Sequence, residues 1–234
     1  SLGTPVTGDN CGVVEVSNNA PLSFPVGTNS VTWTVRDASR NTASCVQTVI
    51  VRDTQAPTIT CPAARIVEAA AGLCVATNVS LGTPVTGDNC SVVEVSNNAP
   101  LSFPVGTNSV TWTVRDANGN SVSCAQTVIV RDTQAPTITC PAARIVEAAA
   151  GLCVATNVSL GTPVTGDNCG VVEVSNNAPL SFPVGTNSVT WAVRDASGNV
   201  ASCVQAVIVR DTQPPVFVTC PPPLTVEAGT EWAF

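Results

Sequence analysis

The chain has 234 residues, sixteen acids against nine basic residues (all of them Arg), no Lys, His, Tyr or Met, and a net charge of -7. Scattered Arg on an acidic chain does not supply the clustered basic face that nucleic acid requires, no apolar run reaches the roughly eighteen residues of a membrane span, and without His or Lys the roles of general base and nucleophile would fall on carboxylates. Val, Thr, Ser, Asn, Ala and Pro dominate, a composition of strands and turns, because β-branched side chains fit a pleated surface and Pro, Asn and Gly punctuate it.

The elements recur every 79 residues: Cys11, Cys90 and Cys169 are equivalent, as are Cys45, Cys124 and Cys203. Ser1–Cys61 matches Ser80–Cys140 with six substitutions. In chain order through one period, Leu101–Val105 reads as a short strand ended by Gly106. Ser109–Arg115 alternates strictly, with Val110, Trp112 and Val114 on one face and Thr111, Thr113 and Arg115 on the other. Asp116-Ala117-Asn118-Gly119-Asn120 reads as a hairpin turn, since Asn and Gly tolerate positive φ, and Ala125–Arg131 is the returning strand. Thr137–Cys140, Arg144–Glu147, Cys153–Val158 and Val171–Ser175 follow as further strands. Ala148-Ala149-Ala150 is too short and too close to Gly151 to make a helix.

Six or seven strands per period predict an all-β fold, a tandem array of immunoglobulin-like β-sandwich domains of about 79 residues. The expected segments are 1–53, a domain lacking its first strands; 54–132 and 133–211, complete domains; and 212–234, the first strands of a further domain or a donor strand. Trp33, Trp112 and Trp191 each share a face with two valines, which predicts core anchors. No Cys-x-x-Cys pair occurs among the eleven cysteines, so zinc and dithiol redox chemistry give way to disulfides in an oxidising space, extracellular or at the cell surface.

Five landmarks in the second period are Cys61-Pro62, Gly72-Leu73-Cys74-Val75-Ala76, Asp88-Asn89-Cys90, Phe103-Pro104-Val105-Gly106-Thr107, and Asp116-Ala117-Asn118-Gly119-Asn120 before Cys124. In these motifs and their spacing the chain resembles the HYR domain, or hyalin repeat, over essentially its whole length. The resemblance implies an immunoglobulin-like fold, a place in extracellular adhesion and matrix proteins, and no catalysis. Two departures stand out: Arg40 occupies the position of the turn Gly, so a rearranged turn is expected there, and the last partial unit has no Gly-x-Cys equivalent.

The disulfide expectations rest on strand order. The starts of the third and last strands should lie at one end of a sandwich, pairing Cys90 with Cys124, Cys11 with Cys45 and Cys169 with Cys203. Cys74 opens the second strand and should face the next domain, pairing with Cys140, while Cys153 pairs with Cys220 and Cys61 stays unpaired. The nearest-neighbour alternative is Cys61–Cys74 with Cys140–Cys153.

Asp53, Asp132 and Asp211 each begin an oxygen-rich joint between units that is either a Pro-stiffened linker or, if Glu68 or Asp37-type residues converge on it, a calcium site. No other cofactor and no catalytic constellation is expected. Asn78-Val79-Ser80, Asn157-Val158-Ser159 and Asn89-Cys90-Ser91 fit the N-glycosylation pattern. The leading functional reading is a subunit of an extracellular fibre or stalk that associates with itself, with no nucleic-acid partner and no membrane insertion; the alternative is an adhesion module that binds a protein or glycan. In the first reading the tail, with Val216, Phe217, Val218, Leu224, Val226, Trp232 and Phe234, donates a strand to the incomplete first unit of another copy. Against donation stands the reading of 1–234 as a window on a longer array, with the missing strands upstream in the same chain.

Overall fold

The computed structural model describes residues 1–225 and Gly229, and every regular element in them is a strand. The first repeat contributes β1 (Val13–Asn18), β2 (Gly27–Asp37) and β3 (Thr42–Val51). The second contributes β4 (Thr58–Thr60), β5 (Arg65–Glu68), β6 (Val75–Thr77), β7 (Val85–Gly87), β8 (Val92–Asn97), β9 (Ser102–Pro104), β10 (Gly106–Asp116) and β11 (Ser121–Arg131). The third repeats that order as β12 (Thr137–Thr139), β13 (Arg144–Glu147), β14 (Val154–Thr156), β15 (Val164–Gly166), β16 (Val171–Asn176), β17 (Ser181–Pro183), β18 (Gly185–Asp195) and β19 (Val200–Arg210). Two compact units emerge: Ser1–Ala70 with Val75–Arg131, and Ala71–Cys74 with the chain from Asp132 onward.

The second repeat is a sandwich. One layer is the four-stranded sheet β5-β11-β10-β8; facing it are the short pairs β4-β7 and β6-β9. β5 runs parallel to β11, while β10 is antiparallel to both of its neighbours. Alternation works as the sequence predicts: Val110, Trp112 and Val114 are buried, because successive side chains of a strand point to opposite faces. Ala76, Phe103, Val110, Trp112, Val128 and Val130 form the core. The third repeat reproduces this arrangement, with β13-β19-β18-β16 over β12-β15 and β14-β17, around Ala155, Phe182, Val189, Trp191, Val207 and Val209.

A buried glutamine that the sequence reading passed over joins the layers. Trp112 Nε1 donates to Gln126 Oε1 at 2.9 Å, and Gln126 Nε2 donates to the carbonyls of Ala63 and Leu81. Gln205 does the same for Trp191, Ala142 and Leu160. A polar side chain can be fully buried at this position because its polar atoms are occupied.

The first repeat retains only the sheet β1-β2-β3. Gln47 still accepts from Trp33 and donates to the carbonyl of Leu2. Trp33 is half-buried, whereas Trp112 is only 6% exposed, and an open groove lined by Pro5, Val6, Trp33, Val35 and Ala43 lies on that face. The Arg40 turn is not rearranged. Asp37 N donates to the Asn41 carbonyl at 3.1 Å, as Asp116 N does to Asn120. Arg40 takes φ +72°, close to the +94° of Gly119 at the equivalent place.

The disulfides depart from every expected pairing. Cys61 bonds Cys124 and Cys140 bonds Cys203, with Cα–Cα distances of 5.9 and 5.8 Å; Cys74 bonds Cys169, with a Cα–Cα distance of 4.8 Å. Cys124 lies mid-strand, opposite Trp112. It packs with Cys61 against the core, so the bond clips the end of β4 onto β11. Cys90 cannot reach it. The neighbouring Val92 pairs with Asp116, four residues along β10 from Trp112, or roughly 13 Å at about 3.3 Å per residue. Cys74 does join the following repeat, as expected, but its partner is the Asp-Asn-Cys cysteine rather than Cys140, because Asn168 Nδ2 donates to the Leu73 carbonyl and seats Cys169 beside it. Cys11, Cys45, Cys90, Cys153 and Cys220 form no disulfide here, so the pairings Cys11–Cys45 and Cys153–Cys220 are likewise not made.

Candidate cation centres

Among the described residues, three aspartates from three separated motifs meet twice. Asp53 follows β3, Asp88 belongs to Asp-Asn-Cys after β7, and Asp116 ends β10. One carboxylate oxygen from each lies within 4.8 Å of the others, and Asp132, Asp167 and Asp195 repeat the arrangement. Asp211 joins no such group among the described residues; its Oδ1 accepts from Gln213 N at 3.0 Å. Glu68 is not a member either, whereas the Asp37-type positions, Asp116 and Asp195, are. One carboxylate per joint is visible in the linker motif because the other two arrive from elsewhere in the period. The available signal was that Asp-Asn-Cys and Asp-x-x-Gly-Asn bracket the same end of β8 and β10.

Local hydrogen bonds fix each carboxylate. Asp116 and Asp195, each 1% exposed, sit inside their turns. Asp195 Oδ1 accepts from the backbone N–H groups of Ser197 and Asn199, and its Oδ2 accepts from Asn199 Nδ2. Burial by itself would push the carboxyls of Asp116 and Asp195 up, but the hydrogen bonds from Asn120 and Asn199 and from the turn backbone outweigh it and hold both below the ordinary carboxylate value. Asp167 Oδ2 accepts from Cys169 N at 2.7 Å, and Asp88 Oδ2 from Cys90 N at 2.7 Å and Ser91 N at 2.9 Å. Asp132 Oδ1 accepts from Gln134 N and Asn168 Nδ2.

The two groups differ at three positions: Asn118 stands where the second group has Ser197, Ser91 where it has Gly170, and Cys90 is a free thiol where Cys169 is disulfide-bonded. Asn118 Nδ2 donates to Asp53 Oδ2 at 3.1 Å; its counterpart Ser197 makes no such bond to Asp132 among the described contacts. Asp53 is held below its ordinary value first by the Gln55 N–H, with the Cys90 thiol and Asn89 and Asn118 adding to the effect. The Cys90 thiol is pushed up by burial, by its hydrogen bond to Asp53 and by the surrounding negative charge. The ion pair of Arg36 with Glu15 involves neither group.

Three successive matches to the HYR domain family model cover residues 2–51, 52–130 and 131–209. Hyalin of Strongylocentrotus purpuratus is 34% identical over 218 residues, 88% of this chain and 18% of that protein. Hyalin of Lytechinus variegatus is 32% identical over 252 residues, 97% of this chain and 46% of that protein, so the chain spans less than half the length of either relative. Among solved structures, Drosophila N-cadherin EC1-4 aligns with a TM-score of 0.39 at 12% identity, over 81% of this chain and 59% of that one; the sandwich assignment rests on strand pairing instead. Three disulfides fit the oxidising extracellular or cell-surface space. By these matches the chain belongs to the HYR domain family, and it is an extracellular or cell-surface repeat protein.

Proposed function

We propose that the chain is a mechanical segment of an extracellular fibre or stalk, extended head to tail by strand addition between copies. One observation supports this above all. β11 and β19 each carry a parallel partner, Arg65–Glu68 and Arg144–Glu147, whereas the matching edge of β3 carries none among the described residues. A segment of the right kind exists in the chain: Cys220-Pro221-Pro222-Pro223-Leu224-Thr225-Val226-Glu227 aligns with Cys61-Pro62-Ala63-Ala64-Arg65-Ile66-Val67-Glu68. Val216, Phe217, Val218 and Leu224 are exposed, Phe217 at 90%. Val226, Trp232 and Phe234, counted with them in the sequence reading, lie outside the described residues.

Laid along β3 in the register of β5 on β11, Leu224 falls opposite Val49 and Val226 opposite Val51. Backbone hydrogen bonds would supply the affinity and the alternating apolar side chains the register. Such a joint is heterologous and propagates unless it closes into a ring.

Deleting Pro214–Phe234 should leave monomers by light scattering and no filaments in negative stain, under conditions where the intact chain assembles. A truncated chain that still assembled, or an intact chain that stayed monomeric with its missing strand supplied upstream in a longer native polypeptide, would overturn the reading. Near-identity of the repeats favours the fibre reading over the adhesion-module alternative, because a specific binding loop would make one copy differ.

A further inference from the structure

The aspartate groups carry more than a structural reading. Asp132 is only 6% exposed. Its Oδ1 takes two hydrogen bonds, while its Oδ2 is buried and accepts none; Oδ1 of Asp167 is in the same state. A carboxylate oxygen buried without a partner is costly, and three carboxylates side by side repel one another. No Arg is recorded pairing with either group among the described residues. At Asp132 and Asp167 the N–H donors occupy one carboxylate oxygen and leave the other unpartnered.

We propose that Asp132, Asp167 and Asp195 hold a divalent cation of calcium size, and that Asp53, Asp88 and Asp116 hold a second one more weakly. Three oxygens within 4.8 Å of one another share a point no more than about 2.8 Å from each, so a small inward shift lets one ion touch all three carboxylates at calcium–oxygen distances of roughly 2.3–2.6 Å. The donors are all oxygen, which favours a hard cation over zinc. Calcium tolerates irregular geometry, whereas magnesium demands a near-ideal octahedron. Three carboxylates leave further positions for water.

The ranking of the two sites follows from Asn118. Its amide caps Asp53 Oδ2, so Asp88 Oδ1 is the only buried oxygen without a partner in that group, against two in the other. An incoming ion must displace Asn118 at the first site and displaces nothing comparable at the second.

The test is calorimetric titration of the chelator-stripped full chain with CaCl2, paired with thermal unfolding with and without the ion. Expected are two saturable events per chain, the tighter with a dissociation constant on the order of 0.1–1 mM or below, and a higher unfolding temperature in calcium. Asp167→Asn should remove the tighter event or weaken it about tenfold or more, and Asp88→Asn should remove only the weaker one. Asn118→Ser, which leaves every carboxylate in place and so does not depend on an acid variant folding, should tighten the weaker event several-fold. Absence of saturable binding up to roughly 10 mM calcium, or titrations that Asp167→Asn and Asn118→Ser both leave unchanged, would overturn the proposal.

Discussion

Arg40 shows how strongly the hairpin is imposed on its own residues. Asp37 and Asn41 bracket the turn, with Asn41 N donating to Asp37 Oδ1 at 2.8 Å and Asn41 Nδ2 to Oδ2 at 2.7 Å. That clamp forces position 40 to a positive φ even without glycine. A non-glycine residue there costs roughly 1–2 kcal/mol. Arg40→Gly should therefore stabilise the first repeat by about 1 kcal/mol, read as a shift in denaturant midpoint at unchanged slope; no shift would mean the conformation carries no strain. The turn's location was legible in Asp-x-x-Gly-Asn. Its persistence in Asp-x-x-Arg-Asn was not, because the Asp and Asn side chains, rather than the glycine, do the holding. Gln126 and Gln205 were legible in principle. They lie on the inward face of the alternation that placed Val128 and Val207, but their polarity argued against burial until the indole and two carbonyls were seen to satisfy them.

At the level of elements, the long strands announced themselves and so did most short ones: Leu101–Val105, Thr137–Cys140 and Cys153–Val158 contain β9, β12 and β14, whereas the Val-Thr-Gly strands gave no signal. β10 and β11 were expected within a few residues of their observed ends, because alternation over ten residues is a strong periodic signal. β7 and β15, Val-Thr-Gly in each case, carry too few residues to alternate, and Val85 and Val164 at their starts are exposed. The disulfides failed for a related reason. Strand order alone gives ends, whereas pairing depends on how far along β11 the opposing layer crosses, and alternation within three-residue strands does not reveal that crossing point.

The hairpin turns also predict acid behaviour. The carboxyls of Asp37, Asp116 and Asp195 are held below their ordinary value in the fold. Their contribution is thus complete above the unfolded carboxylate pKa of about 3.9 and is lost as pH falls through the depressed folded values. Denaturant midpoints should be level above roughly pH 5 and fall progressively below pH 4. The fall should be shallower in Asp195→Asn, which no longer binds a proton there; an equally steep fall would remove the turns as its source.

Over the whole chain, the disulfide register makes a prediction about assembly. Cys61–Cys124 and Cys140–Cys203 are each separated by 63 residues, and Cys74–Cys169 by 95. Continuing the repeat across a head-to-tail joint sets Cys220 of one copy against Cys45 of the next, and Cys153 against Cys11. Cys90 has no counterpart, because the tail lacks the Gly-x-Cys thiol. Assembled material should run as a ladder on denaturing gels without reductant and collapse to one band with it. Cys220→Ser combined with Cys153→Ser should abolish the ladder while leaving non-covalent filaments intact. A ladder that persisted in the double variant would point to random oxidation.

The clip between β4 and β11 also sets how far the material can stretch. Tension entering a repeat through the linker before β4 meets Cys61 first, crosses the sulfurs to Cys124, and leaves along the last eight residues to Asp132. The stretch between them, a sequence separation of 63, is bypassed by the load, so even a repeat whose hydrogen bonds have all failed cannot pay it out. Fully drawn, that stretch would add roughly 200 Å per repeat at about 3.3 Å per residue. In its oxidised state the pair of clipped repeats is thus a tether of nearly fixed length, and a reductant acting on one half-buried bond in each would turn it into an extensible one.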